Sequence, residues 1–115
     1  MIPTFLPLLE QKELSIANQS LKEKYLGIGK YVDRFEKICA SKLSLKRERV
    51  VSVNTGFSAL HLCCMLVGIK KGDEVIMPSL TNVADAQVVI SLGAKIVFCD
   101  ILEDTFCIDP DKVKK

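Results

Sequence analysis

The feature that most constrains this chain is the stretch Arg49-Val50-Val51-Ser52-Val53-Asn54-Thr55-Gly56-Phe57-Ser58-Ala59-Leu60-His61-Leu62. Val50, Val51 and Val53 are β-branched and suit a strand. Asn54, Thr55 and Gly56 are turn and N-cap residue types. From Phe57 onward the sequence is apolar and made of helix formers. The first N–H groups of such a helix lack partners within it, and the aligned peptide dipoles place partial positive charge there. Gly56 lets backbone come close to a ligand. Strand, small-residue turn and helix start together read as an anion site, most often for a phosphate. A second reading stands beside it: an ordinary strand-to-helix loop in which Thr55 only caps the helix.

The residues on either side place this stretch in a larger pattern. Pro3 and Pro7 hold the start extended, as an arm suited to lie on another surface. Leu8 to Lys24 has helical spacing through Leu14, Ala17 and Leu21. Gly27 and Gly29 mark a mobile or tightly turned loop. The next helix fits Tyr31 to Lys42, with Val32, Phe35 and Cys39 on one face, Ile38 alongside, and Asp33, Arg34, Glu36 and Lys37 on the other. Lys46, Arg47 and Arg49 read as a solvated turn. After the helix Phe57–Val67, Gly68 reads as its C-cap. Glu74 to Met77 fits a strand stopped by Pro78, and Asn82 to Ser91 a helix capped by Ser79 or Thr81. Lys95 to Cys99 fits another strand, ending at Asp100. Asp109-Pro110 suits the start of a further helix.

The order α-α-β-α-β-α-β, with apolar strands, predicts an α/β fold with an open, mostly parallel sheet covered by helices and right-handed crossovers. Ligands of such sheets gather at the strand C-terminal ends. Those ends carry Asn54-Thr55-Gly56, Pro78 to Asn82, and Asp100, and this convergence favours the ligand reading of the opening stretch.

Composition narrows the function. The 115 residues allow one domain at most, and 49% hydrophobic content supports a core. The net charge of +2 comes from interspersed charges, with no basic stripe for nucleic acid. There is no Trp, so an aromatic platform for single strands is not expected. Five cysteines without a C-x-x-C read as small core residues of a reducing compartment, and the lone His61 makes no metal cluster. The start lacks a basic leader segment, and the longest apolar run, Leu60 to Ile69, is too short to span a bilayer. A soluble, cytoplasmic protein with no membrane partner is expected.

Several segments, in order, resemble the DegT/StrS-type nucleotide-sugar aminotransferases, pyridoxal 5'-phosphate (PLP) enzymes of the aspartate-aminotransferase fold. Tyr25-Leu26-Gly27-Ile28-Gly29-Lys30-Tyr31-Val32-Asp33-Arg34-Phe35-Glu36 is similar to the family's glycine-containing loop and following helix. Asn54-Thr55-Gly56-Phe57-Ser58-Ala59-Leu60-His61-Leu62 resembles its small-Gly-x-x-Ala-Leu-His-Leu turn. Gly72-Asp73-Glu74-Val75-Ile76-Met77-Pro78-Ser79 and Gly93-Ala94-Lys95-Ile96-Val97-Phe98-Cys99-Asp100-Ile101 resemble its next two strands, and Ile108-Asp109-Pro110 the approach to a helix.

The resemblance implies the N-terminal part of a large PLP-binding domain, with 1–48 as a helical arm and loop and 49–115 as a βαβαβ portion. It implies that Thr55, Gly56 and Phe57 hold the cofactor phosphate, and that Ser79 to Asn82 runs beside the pyridine ring. The Gly27–Gly29 loop would lie near the sugar-nucleotide entrance at a homodimer interface. The reaction implied is amino transfer from glutamate to a nucleotide-linked keto-sugar, for polysaccharide or glycan precursors. The chain departs from the pattern twice. Phe57 stands where many relatives have Thr, so that Thr55 is the hydroxyl left to substitute, and Asn82 stands where many have a ring-stacking aromatic, which leaves it either to hydrogen-bond to cofactor or substrate or to cap a helix. The Schiff-base Lys is expected beyond Lys115, so the 115 residues alone are expected to be inactive. Alternatives are a keto-sugar dehydratase of the same family, a non-catalytic truncated product, and a free-standing flavodoxin-like domain. The last would need a carboxylate pair after the first strand, and residues 54 to 57 carry none.

Overall fold

Helix α1, Gln11–Lys22, begins where the Glu10 N–H donates to the Glu13 carboxylate at 2.8 Å. It starts three residues later than the spacing predicts, and residues 6–10 carry no regular structure. The computed structural model describes residues 6–25 and 27–114. Pro3 of the expected arm, Leu26 of the glycine loop and Lys115 lie outside the described residues. The chain divides into two compact units, Met1–Ser52 and Val53–Lys115.

In the first unit the glycine loop turns tightly about Tyr25. A Cβ on Gly29 would meet the Tyr25 ring at 3.1 Å, so a larger residue there would push the ring aside. Helix α2, Lys30–Lys42, follows. Its faces differ from the expectation. Phe35 and Ile38 are exposed, while Glu36 and Ala40 are buried. The physical reason lies in what α2 packs against, a short 3-10 turn at Arg47–Arg49. Arg47 offers that face a guanidinium, so the side of α2 turned inward is the one that carries a carboxylate. Arg47 is therefore half-buried and ion-paired rather than part of a solvated turn.

The strand expected over Val50 to Val53 does not form. Val50 is extended (φ −122°, ψ 121°), but no ladder partner pairs with this segment among the described residues. An extended segment becomes a strand only when a neighbour takes its N–H and C=O groups.

The second unit is built on two parallel strands, β1 (Glu74–Pro78) and β2 (Lys95–Cys99), in register from Glu74 opposite Lys95 to Pro78 opposite Cys99. The fold is α/β with a small open parallel sheet. Helix α3, Gly56–Leu66, packs on α4, Val83–Ser91, which makes the crossover and lies on β2. Met77, Val88, Val89, Ala94 and Cys99 form the core. At Gly93 the backbone is left-handed (φ 74°) and the Lys71 side chain sits 3.2 Å from where a Cβ would be. A bridge between Ile101 and Ile108 leads to the short α5, Pro110–Val113, capped by Asp109.

The cysteines divide. Cys99 is buried as expected, but Cys63 and Cys107 are exposed, contrary to their reading as core residues. Helix α3 is apolar on every side, whereas only the side facing α4 is covered here, leaving Leu66 85% exposed. No helix among the described residues is long and apolar enough to cross a membrane.

Candidate functional site

Two helices of the second unit begin with the residues singled out by sequence. Both end at one edge of the sheet. The turns that follow them meet there, where the Gly72 N–H donates to the Gly93 carbonyl at 3.3 Å. Helix α3 packs against α4, and α4 starts just after β1 finishes.

At α3, Thr55 is the N-cap. Its Oγ1 accepts from the Ser58 N–H at 3.1 Å and lies 3.0 Å from Ser58 Oγ. Ser58 Oγ in turn donates to Asn54 Oδ1 at 2.8 Å. The Ala59 N–H donates to the Thr55 carbonyl at 3.2 Å. The N–H groups of Gly56 and Phe57 precede the first helical carbonyl they could reach, and no acceptor engages them among the described residues. The space in which a Gly56 Cβ would stand is empty to 4 Å. The first turn carries no acidic side chain. Two adjacent free amides, a positive dipole end and an open approach make a cradle that fits a phosphate.

Phe57 contributes its N–H and no hydroxyl. Its ring meets the His61 ring edge-on at 6.1 Å between centroids, which accounts for an aromatic at this position. The Thr55 hydroxyl, the expected donor in place of one at 57, is engaged with Ser58. Ser58 is the residue that sequence reasoning missed. Its signal was its position three residues after the cap, where capping motifs place a reciprocal partner.

Asn82 is the N-cap of α4, in place of the expected Ser79 or Thr81. Its Oδ1 accepts from the Ala84 N–H at 2.9 Å, and its carbonyl from the Asp85 N–H at 3.0 Å. Thr81 Oγ1 donates to Asp85 Oδ2. At the start of α4 the second and third N–H groups are thus bonded to Asn82, and the turn already carries the Asp85 carboxylate. Asn82 keeps its side-chain NH2 for other acceptors. Asp100 sits at the end of β2, where its carbonyl accepts from the Asp109 N–H at 2.9 Å, a strand-end role as expected.

The first unit holds a separate cleft of about 240 Å³ lined by Glu23, Tyr25, Gly27, Gly29, Lys30 and Tyr31. Glu23 pairs with Lys30 at 2.7 Å and accepts from the Tyr31 hydroxyl at 3.0 Å. The Lys30 ammonium holds the Glu23 carboxyl below the usual range, and Glu23 raises Lys30 in turn. Loss of hydration pushes the Tyr31 phenol up, with Glu23 adding to it.

Residues 7–115 match the DegT/DnrJ/EryC1/StrS aminotransferase family. This chain belongs to that family. It is 36% identical to GDP-perosamine synthase from Vibrio cholerae, over all of this chain and 31% of that protein. Its fold matches the aminotransferase TlmJ from Streptoalloteichus hindustanus with a TM-score of 0.88 and 35% identity, over 99% of this chain and 31% of that one. It also matches a putative sugar aminotransferase, Spr1654 from Streptococcus pneumoniae, solved in its PLP form, with a TM-score of 0.87 and 27% identity, over 98% and 28% of the two chains. The fold is therefore that of the family's aminotransferases. The chain spans about a third of the length of the relatives it matches.

Proposed function

We propose that this chain supplies part of the cofactor cradle of a PLP-dependent aminotransferase. That enzyme moves an amino group, with glutamate as donor, onto a nucleotide-linked keto-sugar used for polysaccharide or glycan precursors. The observation that carries the reading is the start of α3, with free amides at Gly56 and Phe57 beneath open space. Membership of the aminotransferase family supports it.

In this reading residues 49–115 belong to the PLP-binding large domain and residues 1–48 form its helical arm and loop. Gly56 and Phe57 bind the cofactor phosphate through their N–H groups, and Thr55 keeps the turn in shape through Ser58. Asn82 holds the start of α4 beside the ring and offers its NH2 group to cofactor or substrate. The cofactor, once bound, supplies the electron sink for amino transfer. The cleft at Gly27–Gly29 receives part of the sugar nucleotide at a homodimer interface. The protein works in the cytoplasm. The 115 residues by themselves bind the phosphate weakly and are inactive, because the proton-transfer lysine is not among them.

The test is to purify the full-length protein and assay a nucleotide-linked 4-keto-sugar with glutamate. Amino-sugar formation together with the visible absorbance of a lysine-bound cofactor is expected. Absence of that absorbance would sink the cofactor assignment, and loss of water without amino transfer would sink the reaction.

A further inference from the structure

Glu23 is the C-cap of α1, an end where the aligned peptide dipoles place partial negative charge and disfavour a carboxylate. What holds it comes from the start of α2. Its Oε1 pairs with the Lys30 ammonium at 2.7 Å and accepts from the Tyr31 hydroxyl at 3.0 Å. The Lys30 side chain is 66% exposed and that of Glu23 32%, and pairs so open to water hold weakly. The Lys30 ammonium also lies 5.2 Å from the centre of the Tyr31 ring, which helps to keep a cation at this place. A helix start favours anions, and the N-cap of α2 is Gly29, which has no side chain to offer the first amides. These residues line the cleft of about 240 Å³, and Glu23 is its one anion. Sites that enclose a whole small molecule run to about 300–1,000 Å³, so this one suits a single group of a larger ligand.

We propose that Lys30 and the Tyr31 hydroxyl form a subsite for the diphosphate of the sugar nucleotide, and that Glu23 occupies it until substrate displaces it. The proposal rests on the reading that this cleft receives part of the sugar nucleotide. It names the part and adds a carboxylate that competes for the same donors. A phosphate brings the negative charge that the start of α2 favours, and its hydrogen bonds to an ammonium are charge-assisted like those of the carboxylate. On arrival the Lys30 N–H and Tyr31 O–H groups turn from Oε1 to phosphate oxygens, and Glu23 moves out to water, away from an end of α1 that disfavours it. A ligand without phosphate gains nothing by breaking the pair, so the contact selects for the diphosphate.

The experiment uses the full-length protein, loaded with PLP so that the cofactor's own phosphate site is filled. It is titrated with uridine, thymidine and guanosine diphosphates, and the tightest binder is compared with its own nucleoside. Lys30→Ala is expected to raise the Kd of the nucleoside diphosphate about tenfold, the effect of one charge-assisted hydrogen bond, and to leave the nucleoside unchanged. Glu23→Gln is expected to act the other way and lower that Kd about threefold, because the competing charge is gone. Tyr31→Phe loses one hydroxyl and is expected to raise it about threefold; it serves if Lys30→Ala does not fold. A cluster that only shaped the loop would weaken binding with either change. A Glu23→Gln protein that binds no tighter, or a Lys30→Ala loss that is absent or shared by the nucleoside, therefore overturns the proposal. If the wild-type protein binds a nucleoside diphosphate and the variants fail these signs, this inference alone falls. If it binds none of the three, the sugar-nucleotide reading falls and takes this one with it.

Discussion

Helices α3 and α4 pack against each other, are each capped by a polar side chain, and yet present opposite faces to an anion. At α4 the second and third helical N–H groups are bonded to Asn82, and the third residue is Asp85. Its carboxylate already complements the helix dipole. At α3 the cap reaches past the first two amides to the third, and that third residue is Ser58, uncharged. The first position is Gly56, with nothing above it. Two caps of similar strength therefore leave one helix end closed and the other open. A helix N-terminus becomes an anion site through what the cap leaves free, not through the dipole that every helix has.

The comparison can be broken most forcefully by giving α3 the charge of α4. Ser58→Asp places a carboxylate at the equivalent third position. PLP affinity of the full-length protein should fall about 100-fold through repulsion of the phosphate. Stability should change by less than about 0.5 kcal/mol, because the same charge suits the dipole. Equal loss of stability and affinity would mean that the turn had collapsed instead. A smaller effect separates capping from binding. Thr55→Ala and Asn82→Ala should each cost about 1 kcal/mol in chemical denaturation, but Thr55→Ala should weaken PLP more than pyridoxal, which lacks the phosphate, whereas Asn82→Ala should affect the two ligands alike. Weaker still, Asp85→Asn should lose about 0.3–1 kcal/mol. It should create no phosphate site, since the Ala84 and Asp85 amides stay bonded to Asn82 and no adjacent pair is free; new phosphate binding would refute the role given to the cap.

The lead-ins to the two helices differ as well, and acid exposes the difference. The segment before α4 is strand β1, held by its ladder with β2. The segment before α3 is held by Glu36. The Ser52 N–H, then the Ser52 hydroxyl, and to a lesser degree Arg47 keep the Glu36 carboxyl below its usual value of 4.5 despite burial. Asp33 is lowered likewise, mainly by Lys37. A carboxyl lowered in the folded state stabilises it fully above the unfolded value and loses that contribution as pH falls through the folded one. Melting followed from pH 6 down should show a loss setting in below about 4.5 that Glu36→Gln lacks. Parallel curves for the two proteins would mean that Glu36 holds nothing.

Much of the second unit was legible along the chain. Gly68, Pro78, Gly93 and Asp109-Pro110 marked the element ends, and β2 came out at the predicted residues, Lys95–Cys99. These are local signals, set by backbone preferences that need no partner. The errors fell where a residue's role depends on something distant. Val50, Val51 and Val53 have strand propensity, but no neighbour pairs with them here. Phe35 and Ile38 read as a buried face and Glu36 as an outer one, because helical spacing sorts residues by polarity and cannot register the half-buried guanidinium that the later turn at Arg47 brings to Glu36. Cys63 read as a core residue, but the apolar helix that carries it is covered on only one side.

The sequence by itself determined the alternation of helices and strands from α3 onward, the turn Asn54-Thr55-Gly56 as the start of a helix, and Asn82 as a polar residue in the second cluster. Those follow from residue chemistry and short spacing. Only the tertiary structure decided which amides stay free, that Asn82 caps α4 and that Asp85 closes it. It alone turned Glu36 inward to Ser52 and Arg47. Hydrogen-bond satisfaction in a folded chain is settled by which groups arrive together, and that is a property of the packed whole.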